Sequence, residues 1–157
     1  MKTCQYIYQT DTGWKNPSGE VCEPDILLAF FSGRDFKGEI LTSWWKENFP
    51  KAQLIGCSSA GEIIDTDVHT NSIIVTAIQL EKTQFEVQSL NFDKGDDSFK
   101  IGAKLAKNLT KDNLKLCFVL SEGLNINGTK LVEGLKQGLP NNILLTDGLA
   151  GDGARFS

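Results

Sequence analysis

Apolar residues along this chain switch between strand-like and helix-like spacing, and the switches predict its elements. Residues 4–9 read as a short strand. Residues 11–24, rich in Gly, Pro, Asn and Asp, read as a loop. Residues 25–31 form a continuous apolar run of the kind buried on both faces of a sheet. Phe36, Ile40, Leu41, Trp44, Trp45 and Phe49 then recur at helical spacing until Pro50 stops the helix. Trp44 and Trp45 read as core and near-core. Residues 52–57 form a second buried strand, and strand, helix, strand in that order predicts a parallel crossover. Residues 72–80 and 85–92 are β-branched and aromatic runs joined by Glu81-Lys82-Thr83-Gln84, which predicts an antiparallel hairpin.

Helical spacing returns at 97–109 and 128–138, around a buried strand at 116–120, and a last short strand falls at 142–146. The expectation is one mixed α/β domain over residues 1–157. Its mixed parallel and antiparallel sheet is flanked by about three helices and holds a central antiparallel hairpin. No repeat or low-complexity segment interrupts it.

Charge narrows the function. The 157 residues carry 16 Lys and Arg against 20 Asp and Glu, a net −4 without strong clustering. A protein that reads nucleic acid through its phosphates needs a basic excess or stripe, so no nucleic acid is expected. The longest apolar run, 26–31, is too short to span a bilayer, and the N-terminus lacks a continuous apolar signal region. Cys4, Cys22, Cys57 and Cys117 show neither CxxC nor zinc-finger spacing. A reduced, cytoplasmic domain with no cofactor and no metal is the reading.

Three segments at strand ends carry the candidate chemistry. The first is Gly56-Cys57-Ser58-Ser59-Ala60-Gly61-Glu62. Its small side chains let backbone N–H groups approach a ligand, and Ser hydroxyls both donate and accept; a tight turn needing Gly is the plain alternative. Cys57 as a nucleophile would need a base, and the only histidine, His69, lies outside any recognisable dyad. A packed or ligand-lining Cys57 is preferred. The second segment, Ser121-Glu122-Gly123-Leu124-Asn125-Ile126-Asn127-Gly128, sets a carboxylate and amides before a helix N-terminus. Capping by Asn127 or Thr129 explains part of it. The third, Gly148-Leu149-Ala150-Gly151-Asp152-Gly153, is neither GxGxxG nor a Walker loop, and Asp152 suits an ammonium group or an Asx turn. Asp65-Thr66-Asp67-Val68-His69 alternates potential metal ligands, yet reads as a solvated loop between two strands.

Taken together and in this order, the three segments resemble the FIST domain (F-box and intracellular signal transduction), in its N-terminal half, from about residue 25 to 152. That family shows GCSTAGE-like, S-D-G-L-x-x-N-G-like and G-G-x-A-G-D turns. Here Ser59 stands where Thr is common, Glu122 where Asp is usual, and Asp147 in place of the first Gly of the last turn. The chain also stops soon after that turn, so a fragment lacking the family's C-terminal half is expected. The resemblance implies an intracellular sensory domain that binds a small metabolite, amino acids or derivatives among them. It would act with a FIST C-terminal half and an output domain of kinase, cyclic-dinucleotide-enzyme or receptor type, in cis or in trans.

Carried onto this sequence, Ser58, Ser59 and the amides near Gly61 would hold an anionic group. Glu122 or Asp152 would take a cationic one, and Asn125 would fix orientation. Cys57, Glu62, Ser121 and Gly151 complete the candidate ligand-binding set, and no catalytic residue is assigned. The alternatives are an interaction or oligomerisation scaffold without ligand, and a hydrolase or transferase using Cys57 or Ser58 with Glu122, Asp152 or His69.

Overall fold

A computed structural model describes residues 1–32, 38–110 and 112–151. Phe36, expected on the first helix, and Asp152 lie outside the described residues. The elements are β1 (Lys2–Gln9), β2 (Gly13–Lys15), β3 (Ile26–Ser32), α1 (Gly38–Asn48), β4 (Gln53–Ser59), β5 (Glu62–Ile64), β6 (Asp67–His69), β7 (Ser72–Gln79), α2 (Ser98–Asn108), β8 (Leu116–Ser121), α3 (Gly128–Gly138) and β9 (Leu144–Leu149). They form a mixed α/β protein, as the residue spacing predicts. The chain makes two compact units, Met1–Gln84 with Gly151, and Phe85–Ala150.

The first unit is built on a five-stranded sheet of order β2-β1-β7-β3-β4. The β3–β4 pair is parallel, as the intervening helix requires, and β7 runs antiparallel to both β1 and β3. Strand alternation sorts the side chains. Cys4, Leu27, Ala29, Ile73, Val75 and Ala77 face one side, where Leu41, Trp44 and Trp45 of α1 cover them. Ile7 and Ile74 face the other, against Ile64 of β5. An aromatic cluster closes the α1 side, with Trp14 and Trp44 stacked at 4.1 Å and Tyr6 tilted on Trp44 at 5.1 Å. The Trp45 indole N–H donates to Ala52 O at 2.9 Å, which fixes the turn after the helix.

The hairpin expected from residues 72–80 and 85–92 is not formed. β7 takes β1 as its antiparallel partner over eight paired positions, while 85–92 carries no strand. The Glu81–Gln84 link is the junction between units rather than a hairpin turn. Antiparallel hairpins occur instead at β1–β2 and β5–β6.

In the second unit β8 and β9 pair in parallel, and α2 and α3 pack together with them around Ile101, Ala106, Cys117, Leu131 and Leu135. The two helices approach so closely that a Cβ on Gly102 would lie 2.2 Å from Leu131 O. Asp97 caps α2 by accepting from the Phe99 and Lys100 N–H groups, and Asn127 caps α3 by accepting from that of Lys130. The strand expected to be buried at 116–120 is only partly so: Cys117 points inward, while Leu116 and Phe118 of β8, and Leu144 of its partner β9, are exposed. Among the described residues no helix is long and apolar enough to cross a membrane.

Candidate functional site

The first candidate segment begins as strand. Gly56, Cys57, Ser58 and Ser59 complete β4, and only Ala60 and Gly61 turn before β5 starts at Glu62. Gly56 pairs with Ala29 of β3, and a Cβ there would fall 2.2 Å from Ala29 O, so the strand passes at this distance only without a side chain. Beyond it the side chains alternate. Ser58 lies on the side of α1, while Cys57 and Ser59 lie on the side of β5.

The sheet register collects polar residues at this end. Ser32 pairs with Ser59, Phe31 with Ile73, and Gln9 with Ser72. Because β1, β7, β3 and β4 are adjacent in the sheet, Gln9, Ser72, Ser32 and Ser59 stand along one rim. The C-terminal ends of the parallel strands β3 and β4 belong to that rim, the place where open α/β sheets receive ligands.

Glu62 braces it from beneath. Its side chain is 1% exposed, yet both carboxylate oxygens are satisfied. Ser59 Oγ donates to Oε1 at 2.9 Å and Ser72 Oγ to Oε2 at 2.8 Å. A buried carboxylate with neither donor would be costly. The side chain therefore ties β5 to β4 and β7, a role the sequence pattern does not reveal. Ser58 differs from Ser59: among the described residues its hydroxyl has no hydrogen-bond partner, while its backbone O accepts from the Gly151 N–H at 2.9 Å. An open groove of about 490 Å³ lies at the same rim, lined by Gln9, Thr10, Asp11, Thr70 and Asn71. Asn71, which adjoins Ser72, holds a left-handed φ of 55°.

Cys57 is half-buried, and burial pushes its thiol above the usual range. Such a thiol holds its proton at neutral pH, the reverse of an activated nucleophile. His69 pairs with Glu62 across the β5–β6 hairpin, which occupies the segment expected to be a solvated loop.

The second candidate segment belongs to the other unit. Ser121 ends β8, and its O accepts from the Ala150 N–H at 2.8 Å. Glu122 folds back on its own turn, accepting from the N–H groups of Leu124 at 2.8 Å and Asn125 at 2.5 Å, with the Asn125 amide at 3.4 Å. Those bonds, led by the Asn125 N–H, hold its carboxyl below the usual range. Its charge is partly met by its own backbone before any ligand arrives. Gly148 and Leu149 of the third segment are strand residues of β9, and Gly151 belongs with the first unit. Sequence reasoning missed Ser72, Gln9 and Asn71, because nothing local links them to 56–62; only the register does.

The family model of the FIST N domain matches residues 25–157. No curated protein and no solved structure matches the chain.

Proposed function

Since the chain belongs to the FIST N domain family, we propose that it is the sensory part of a signal-transduction protein and binds a small polar metabolite, an amino acid or a derivative of one, at the serine-lined rim of its five-stranded sheet. The observation that carries this reading is the contrast between Ser59 and Ser58. Ser59 is fixed by Glu62, so its proton is committed and its oxygen is left to accept from a ligand N–H. Ser58 keeps its hydroxyl proton for a ligand oxygen, and the amides near Gly61 suit a carboxylate. The two hydroxyls face opposite sides of the sheet, so a ligand that meets both sits over the rim itself, at the strand end.

Signalling follows from preference. A ligand that binds one arrangement of the rim more tightly shifts the population toward it, and a tenfold change in output needs about 1.4 kcal/mol of differential binding. The receiver is a FIST C-terminal half and an output domain of kinase, cyclic-dinucleotide-enzyme or receptor type, in cis or in trans. The protonated, half-buried Cys57 supports a non-catalytic role. The competing scaffold reading draws on the exposed Leu116, Phe118 and Leu144.

Thermal unfolding against a panel of amino acids, polyamines and organic acids tests the proposal. A ligand at one hundred times its Kd adds about 2.7 kcal/mol and raises Tm by several degrees. The shift should be selective and lost in Ser58→Ala. A panel without any selective shift refutes the sensor reading and leaves the scaffold.

A further inference from the structure

Cys4 and Cys22 play no part in the rim chemistry, yet they meet in the core of the first unit. Cys4 lies on β1 opposite Ala77 of β7. The Cys22 thiol, from the loop before β3, reaches the Ala77 carbonyl at 3.8 Å. Both side chains belong to one buried cluster, at 3% and 5% exposure, and both lie against Ala77, Cys4 as its partner in the β1–β7 register and Cys22 through its thiol. No other described cysteine shares that cluster: Cys117 packs in the second unit, and Cys57 sits on β4.

We propose that Cys4 and Cys22 are an oxidative modification site, a dithiol that closes to an intrachain disulfide when the protein meets a peroxide. Once the loop that carries Cys22 opens to water and relieves the burial that holds its proton, the Cys22 thiolate attacks the peroxide O–O bond, leaving a sulfenic acid and releasing water once the departing oxygen is protonated. Cys4 sulfur then attacks that sulfur, expelling the hydroxyl as a second water as its own proton is lost. In sum, two thiols and one hydrogen peroxide give one disulfide and two waters; both sulfurs are oxidised and the peroxide oxygens reduced.

The surroundings set the rate. Burial first, then the Cys4 thiol and Glu20, push the Cys22 thiol up to about 12. Tyr6 is the remaining titratable neighbour, itself raised by burial and by the two cysteines. Few thiolates therefore form in the closed state, and reaction waits for the loop to open. That loop is irregular, and Val21 beside Cys22 is 83% exposed. Closure links β1 to the segment before β3 and encloses Gln9, Thr10 and Asp11, which line the rim groove.

The test is peptide mapping of the intact chain after hydrogen peroxide treatment, without reductant. Trypsin cuts after Lys2, Lys15 and Arg34, so the bond joins peptides 3–15 and 16–34 with the loss of two hydrogens. In glutathione redox buffers, the folded protein should favour this bond at least about tenfold more than the protein in urea. Its formation should raise Tm by several degrees. Linkage of Cys57 or Cys117 in its place, oxidation of Cys22 to sulfinic acid without linkage, or no advantage over urea overturns the proposal. All three readouts use the wild-type chain, so no variant has to fold.

Discussion

Ser72 Oγ donates to Glu62 Oε2 at 2.8 Å inside the first unit, where Ser72 is fully buried and Glu62 nearly so. The two residues come from β7 and β5, and with Ser59 they turn three strand ends into one braced structure.

Ser72→Ala leaves one buried carboxylate oxygen without a donor. The expected loss is about 1–3 kcal/mol of unfolding free energy, read from urea denaturation. Ser59→Ala should cost less, because Ser59 is only half-buried and water replaces the lost hydroxyl. Equal and negligible losses in both variants would mean that the carboxylate is not held as described.

Glu122 gives a pH-dependent prediction. Its folded carboxyl is depressed chiefly by the Asn125 N–H, so the stabilisation is fully present above the ordinary value of 4.5 and is lost as pH falls through the lower folded value. The urea midpoint of the wild type should exceed that of Glu122→Gln by a constant amount between about pH 5 and 7, and the gap should close in more acidic solution. A gap that persists or widens in acid contradicts the local turn. The group is exposed, so the effect is small.

Cys57 separates binding from covalent catalysis. A thiol raised by burial carries less thiolate at pH 7.5 than free cysteine, so iodoacetamide should label Cys57 more slowly than it labels glutathione. In urea the rates should converge. Labelling faster than glutathione in the folded protein would restore the nucleophile reading.

How much of this was legible in the sequence depends on the length of each element. The run 26–31 and the helix at 128–138 are long enough for periodicity to speak, and both stand where the spacing puts them. β2, β5 and β6 are three-residue strands, too short for any periodic signal, and β5 opens on a charged residue whose burial depends on one hydroxyl three residues before it and another ten residues after. Residues 85–92 show the opposite failure. Their β-branched and aromatic content reads as strand, but β1 holds the position beside β7. The Ser-rich turn was visible as a candidate site. Its rim was not, since Gln9 and Ser72 meet only through sheet register.

Binding of a small polar metabolite at the rim of the first unit is the proposal on which the signalling role depends. The most direct measurement is an NMR titration of amide signals with the amino-acid panel. One saturable set of shifts is expected, centred on residues 56–62 and 70–72, with those of 85–150 smaller. Saturable shifts confined to another region, or none with any member of the panel, would contradict it.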